Sequence, residues 1–163
     1  MNTDIGEQLV GAYLKVIRRC HFILYNVRPP GGGFKGLEEI DVIGINLKEK
    51  AVYLCEVATH LGGLDYGGNR TTINTLKKKY ERLVQYADQF LPEFPERHFM
   101  IWSPYVPKGY LTEQLNQWDN LELIINHHYR RALNRLRKEA AARTNDEGND
   151  AFRLLQIIGH LRK

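Results

Sequence analysis

Apolar and polar residues follow two spacings along this chain, one typical of helices and one typical of strands. Helical spacing predicts helices at residues 3–18, from 71 or 72 to 91, at 111–118 and 127–143, and a last helix after the polar linker 144–150. β-Branched and apolar runs predict strands at 21–27, 97–103 and 121–126, a hairpin within 38–58, and a loop at 29–33. This order predicts an α/β fold in which helices flank a mixed central β-sheet.

The length of the chain suggests one domain with a sizeable core. We expect residues 1–126 to form that core and the helices of 127–163 to pack on the same domain. The amphipathic terminal helix either packs on its own domain or pairs with a second copy, so a homodimer stays open.

Two acidic residues interrupt the predicted hairpin. If its turn has two residues, Lys48 and Glu49, or four, Asp41 lies directly opposite Glu56, whereas a turn of three residues would break that pairing. Facing Cβ atoms lie roughly 4.5–5.5 Å apart, so two like charges there destabilise a sheet. A hard divalent cation offsets the repulsion, because Mg²⁺ takes one or two carboxylates, keeps several waters and uses phosphate oxygens as further ligands. Strand alternation adds Glu39 to the same face.

An acid in the first helix, an x-Asp at the end of one core strand and a Glu-x-Lys on the next form a known pattern. The chain has Glu7, Ile40-Asp41 and Glu56-Val57-Ala58 at these places, and up to about residue 105 it resembles the PD-(D/E)XK nuclease superfamily. It departs from the pattern twice, with isoleucine for the usual proline and Ala58 for the usual lysine. The resemblance implies a restriction-endonuclease-like core and metal-dependent hydrolysis of DNA phosphodiester bonds.

The same resemblance implies the ligands of the metal. Asp41, Glu56 and the carbonyl of Val57 would hold Mg²⁺ or Mn²⁺, and Glu7 or Glu39 would hold a water of the metal. Glu7 also has a purely structural explanation, because Asp4 and Glu7 have the spacing of a capping box at the start of the first helix. Both explanations can hold together.

The lysine that is missing at position 58 normally helps to orient or deprotonate the attacking water. In this superfamily it is known to move to a neighbouring helix, and Lys77 and Lys79 flank the apolar face of the long predicted helix on opposite sides. We prefer Lys79 as the replacement. His60, in the glycine-rich loop after the hairpin, is a further candidate for a base or phosphate contact. The structural alternatives are that the lysines form a solvated face of the helix and that His60 is simply a polar surface residue.

Charge distribution adds a candidate surface for nucleic acid. The net charge is +4 and the pI is near 9.1, which permits nucleic-acid binding. The helix at 127–143 is the most basic segment, and it would suit phosphate contacts through four cations: Arg130, Arg131, Arg135 and Lys138. A charge run of this kind can also be a solvated face.

Several classes of function find no support in the sequence. No run approaches the roughly 20 apolar residues of a membrane helix and no signal peptide begins the chain, so we expect a cytoplasmic protein without membrane contact. Cys20 and Cys55 lie in apolar surroundings and are expected to be buried thiols. Zinc spacings, a nucleophile elbow, a phosphate-binding lysine loop and a dinucleotide fingerprint do not occur.

Three functions therefore stay open. The first is a nuclease, a hydrolase that acts on DNA with Mg²⁺ or Mn²⁺. The second is a module that kept the same fold for nucleic-acid binding or assembly and lost the chemistry, for which Ala58 is the best argument. The third is an interaction protein whose hairpin acids meet a basic partner, without any effect of divalent metal.

Overall fold

The computed structural model describes residues 3–30 and 39–161, and in these residues five strands form one sheet with helices on both faces. The helices are α1 (Ile5–Val16), α2 (Asn69–Phe90), α3 (Tyr110–Leu115), α4 (Asn126–Ala142) and α5 (Asp150–His160). The strands are β1 (Phe22–Val27), β2 (Ile40–Asn46), β3 (Ala51–Val57), β4 (Glu96–Ser103) and β5 (Leu121–Ile125). The predicted α/β class and the predicted order of elements are confirmed, with ends that differ by a few residues. Most of the predicted loop at 29–33 lies outside the described residues.

The strands lie side by side in sequence order. β1, β2 and β3 pair antiparallel, whereas β3, β4 and β5 pair in parallel. Parallel neighbours need a crossover connection, and α2 and α3 provide the two crossovers. As a result β3, β4 and β5 all end at the same edge of the sheet, and β2 begins there. We call this edge, marked by the last strand residues Val57, Ser103 and Ile125, the carboxyl edge.

Alternate residues of the strands point to two different cores. Val42 and Cys55 face α1, α4 and α5, whereas Ile43 and Leu54 face α2. A third cluster fills the space between the sheet, α2 and α3. Because strand residues two apart share a face, Asp41 and Glu56 belong to the α2 side.

Helices α4 and α5 complete the cover of one face of the sheet. Four residues at helical spacing on α4 and one on α5 join the core beneath α1: Tyr129, Ala132, Leu136, Ala140 and Phe152. Helix α5 contacts α4 and α1, and α4 contacts α1, β4 and β5. Within the described part of the chain, no helix combines the length and the apolar character that crossing a membrane requires.

Local signals in the sequence fix the ends of two helices. The Asp4 carboxylate accepts a hydrogen bond from the Gly6 N–H at 2.8 Å, and the Asp4 N–H donates to the Glu7 carboxylate at 3.2 Å, which completes the predicted capping box. Asn149 caps α5 by accepting from the Phe152 N–H at 2.8 Å. Both cysteines are buried free thiols, as predicted.

Candidate active site

The turn between β2 and β3 sets the position of the two hairpin acids. Pairing runs from Val42 opposite Cys55 to Asn46 opposite Ala51, which leaves a turn of four residues, 47–50, one of the two turn lengths that place Asp41 opposite Glu56. One further step of this register brings Asp41 opposite Glu56, on the side of the sheet that α2 covers. The Val57 N–H donates a hydrogen bond to the Asp41 carboxylate at 2.7 Å. The two acids therefore meet at the carboxyl edge.

Glu56 is a buried carboxylate between two cations, with a side chain only 1% exposed. The Lys79 ammonium donates a hydrogen bond to its Oε1, and an Arg82 nitrogen lies 3.7 Å from its Oε2. Burial raises the pKa of Glu56 to about 8 and the charge of Asp41 adds to this rise, although Lys79 and Arg82 oppose it. Its Oε2 accepts no hydrogen bond from the described residues. Glu56 is thus held by a hydrogen bond at Oε1, whereas its Oε2 can still accept a hydrogen bond or bind a cation.

Helix α2 supplies the lysine. The side chain of Lys79 is 18% exposed, and its Nζ lies 5.8 Å from the centre of the Tyr66 ring. Burial by itself would lower the pKa of Lys79, but the attraction and hydrogen bond of Glu56 in its charged form outweigh burial, so the pKa is raised. Lys77 is exposed and forms no ion pair with a described residue. Of the two predicted candidates, only Lys79 reaches the acids.

Ala58 belongs to the apolar core beside the site. Its side chain is buried in the cluster that Leu64 and Leu76 share with α3. The ammonium that contacts Glu56 belongs to Lys79 of α2.

Asp41 and Glu7 form a second acidic pair at the same edge. Burial raises the pKa of Asp41, and the bond from Val57 and the charge of Lys79 oppose this. Burial also raises the pKa of Glu7, and the negative charge of Asp41 is the next cause. The two carboxylates are therefore close enough to repel each other. Glu7 therefore caps α1 and borders the two hairpin acids.

Two other predicted site residues have different surroundings. Glu39 forms an ion pair with Arg28, whose Nε and terminal nitrogen lie 3.1 and 3.0 Å from one carboxylate oxygen. The Glu39 carboxylate is thus already bound by a cation in this structure. His60 is exposed and its ring lies edge-on to Tyr66, with 5.4 Å between the ring centres. His60 thus contacts Tyr66, and Tyr66 in turn lies beside Lys79.

Asn26 is a site residue that the sequence analysis missed. Tyr25 pairs with Val42 and Val27 pairs with Ile40, so the residue between them falls opposite Asp41 in the register. Its φ of 52° is left-handed, which asparagine tolerates better than most residues. Burial raises the pKa of Glu7, and the nearby Asn26 side chain moderates that rise. The available signal was an asparagine inside an apolar strand, where asparagine is depleted.

Arg82 and Tyr66 were missed as well. Arg82 lies three residues after Lys79, on the same side of α2 by helical spacing, so the choice of Lys79 already implied that Arg82 could approach Glu56. Tyr66 gave no signal, because the loop that carries it has no period. The Tyr66 N–H bonds to the hydroxyl of Thr72 at 2.9 Å, which ties this loop to the first turn of α2.

The two hairpin acids suit a hard divalent cation. Asp41 and Glu56 offer only oxygen ligands, and burial raises the pKa of both, so an added cation would stabilise their charged forms. Among residues 3–30 and 39–161, no group of three or more His, Cys, Asp or Glu side chains is arranged to hold a metal. A site with two carboxylates leaves the other positions to water and phosphate, which is how Mg²⁺ is commonly bound.

The four predicted nucleic-acid contacts lie elsewhere on the protein. Arg130, Arg131, Arg135 and Lys138 are all exposed on α4, which packs on the opposite face of the sheet from the two acids. They form no ion pair with any residue in the described part of the chain. Comparison with protein-family models, with curated proteins and with solved structures gives no match to this chain.

Proposed function

We propose that this protein is a metal-dependent nuclease that hydrolyses DNA phosphodiester bonds. One observation carries the proposal: Asp41 and Glu56 face each other at the carboxyl edge, and the Lys79 ammonium is bound to one of them. The fold supports it, since a helix, three antiparallel strands and a crossover to parallel strands agree with the restriction-endonuclease-like core that the sequence resemblance implies.

The acids would hold Mg²⁺ or Mn²⁺ through their carboxylate oxygens. A cation bound there supplies positive charge beside the phosphate and lowers the pKa of the attacking water. Glu7, whose pKa is raised by burial and by Asp41, lies on the far side of Asp41 and can accept a hydrogen bond from a water there.

Lys79 would take the role of the lysine that is absent at position 58. Its Nζ keeps its proton and lies beside Glu56, so it can donate a hydrogen bond to a water or to a phosphate oxygen that approaches the acids. The Tyr66 ring closes one side of the ammonium and limits its contact with bulk water. A fixed donor of this kind stabilises negative charge that develops on the phosphate.

A second candidate is a noncatalytic module that binds nucleic acid or assembles with it. The observation in its favour is that the oxygens of Glu56 face two cations, Lys79 and Arg82, which can balance the carboxylate without a metal. Under this proposal, alanine in place of the usual lysine at position 58 reflects the loss of catalytic activity. It predicts that divalent metal changes neither the stability of the protein nor its binding of DNA.

Cleavage assays separate the two candidates. We expect the native protein to cut plasmid, single-stranded or branched DNA when Mg²⁺ or Mn²⁺ is present, and we expect Asp41→Asn and Lys79→Ala each to lose about 100-fold or more of that activity. Lys77→Ala is the matched control, because Lys77 lies on the same helix but is exposed, and it should keep activity within a factor of two.

The outcomes have different meanings. Loss in Asp41→Asn but not in Lys79→Ala would keep the acid site and remove the proposed role of Lys79. Absence of cleavage by the native protein on every substrate, RNA included, together with unchanged DNA binding, would favour the noncatalytic module.

A further inference from the structure

The basic residues of α4 and the acids of the site lie on opposite faces of the sheet. On α4, the inward face carries Tyr129, Ala132, Leu136 and Ala140. At about 100° per residue, Arg131 and Lys138 point roughly 180° away from that face. We call the exposed cations Arg130, Arg131, Arg135 and Lys138 the basic stripe. A nucleic acid that touches both the stripe and the acids must pass over the carboxyl edge.

A groove runs along the outer face of α4 from a point near the carboxyl edge. A depression of about 830 Å³ extends along Tyr105, Lys108 and Arg130. It shares Arg130 with a second depression of about 480 Å³ that follows the stripe to Lys138. At its Tyr105 end the groove meets the loop after β3, because the Leu64 N–H donates to the Tyr105 carbonyl at 3.0 Å. The same loop carries Tyr66 beside Lys79, so one loop separates the end of the groove from the acids.

The side chains along this groove suit an unpaired strand. The Tyr105 ring is 48% exposed, and an exposed aromatic ring can stack on a base. Lys108 and the stripe offer cations at intervals for phosphates. From Arg130 to Lys138 the stripe covers about 12 Å of helix at 1.5 Å per residue, enough for several nucleotides.

A duplex would have to bend sharply to follow this path. The persistence length of double-stranded DNA is about 500 Å, whereas a chain of this length has a radius of gyration of about 15 Å. A single strand bends freely on this scale. We propose that this protein binds a single-stranded tail that runs from the acids over the carboxyl edge onto the basic stripe, so that its substrate is a tailed or branched nucleic acid. The inference rests on the proposed function for the position of cleavage, whereas the path of the single strand is inferred from the groove.

Fluorescence anisotropy tests the inference without any cleavage, in EDTA. The probes are a labelled blunt duplex and the same duplex with a single-stranded tail. The native protein should bind the tailed probe at least 10-fold more tightly. The stripe variant Arg131→Ala/Arg135→Ala/Lys138→Ala should lose that preference, and its salt dependence on the tailed probe should fall by about 2 in log–log slope, at about 0.7 per phosphate contact.

A charge-matched control removes three exposed cations from the opposite edge of the sheet. Arg19→Asn/Lys48→Ala/Lys50→Asn changes the net charge equally, and asparagine suits the left-handed backbone of Arg19 and Lys50. This variant should keep the preference for the tail. Equal affinity of the native protein for both probes, or an equal loss in stripe and control variants, would overturn the inference.

Cleavage of the same two probes with Mg²⁺ is measured separately. Absence of cleavage with the tail preference intact would refute the nuclease and retain the strand path. Cleavage without any tail preference would retain the nuclease and refute the path.

Discussion

Replacing Glu56 with glutamine should remove most of the pH dependence of the stability of this protein. Burial raises the pKa of Glu56 from 4.5 to about 8 in the folded state. Since one pKa unit corresponds to about 1.4 kcal/mol, this rise amounts to about 5 kcal/mol. Between these two pH values the unfolded chain has released the proton and the folded protein keeps it, so the free energy of unfolding falls as the pH rises.

Urea unfolding from pH 4 to pH 9 in EDTA measures this loss. We expect the native protein to lose up to about 5 kcal/mol over the range, or about 10–20 °C in melting temperature at 2–4 °C per kcal/mol. Glu56→Gln carries no proton to release and should lose only a small part of that. Glu81→Gln is the control, because Glu81 lies exposed on α2, and it should keep the native dependence. Mg²⁺ at pH 9 should restore stability to the native protein and not to Glu56→Gln.

Two results would refute this reasoning. If native stability is constant or rises between pH 5 and pH 9, Glu56 ionises in the folded protein without a penalty. If Glu56→Gln keeps the native dependence, the pH dependence comes from other groups. In either case the two cations balance the carboxylate more completely than burial opposes it.

Three further predictions concern buried thiols, backbone conformation and helix capping. Cys20 and Cys55 are buried with raised pKa values, about 12 for Cys20, so a thiol reagent at pH 8 should modify neither until urea unfolds the protein; fast labelling of the folded chain would contradict this. Asn26→Gly should keep the stability within about 0.5 kcal/mol, whereas Asn26→Ala should cost about 1 kcal/mol in urea unfolding because of the left-handed backbone; equal costs would show that the backbone is not the cause. Asp4→Ala should cost about 1 kcal/mol by the same measurement, since it removes the cap of α1, and an unchanged midpoint would argue against the capping box.

The central part of the site could be predicted because the relevant patterns are local. The four-residue turn fixes the register of β2 and β3, and the register alone brings Asp41 to Glu56. Helical spacing restricted the lysine to two candidates. Helical spacing gave no physical ground for preferring Lys79 to Lys77, because a period shows which residues share a face of the helix but not which side of the helix lies nearer the acids.

The parts that could not be predicted depend on tertiary packing. The left-handed conformation of Asn26 and the position of Tyr66 depend on contacts between distant segments. The basic run of α4 was visible in the sequence, but its location on the opposite face from the acids requires the packing of Tyr129 and Leu136 against the sheet. Residue types therefore identified charged surfaces without showing how they are related in space.

The order in which the site is assembled has a consequence for the rate of folding. A short turn brings Asp41 and Glu56 together within one antiparallel hairpin, whereas Lys79 arrives with the crossover helix that precedes a parallel strand. Local contacts form at a smaller loop-closure cost than distant ones. The hairpin thus brings two negative charges together before their cation is in place, and refolding should be faster near pH 4, where exposed carboxyls are about half protonated and repel each other less, than at neutral pH.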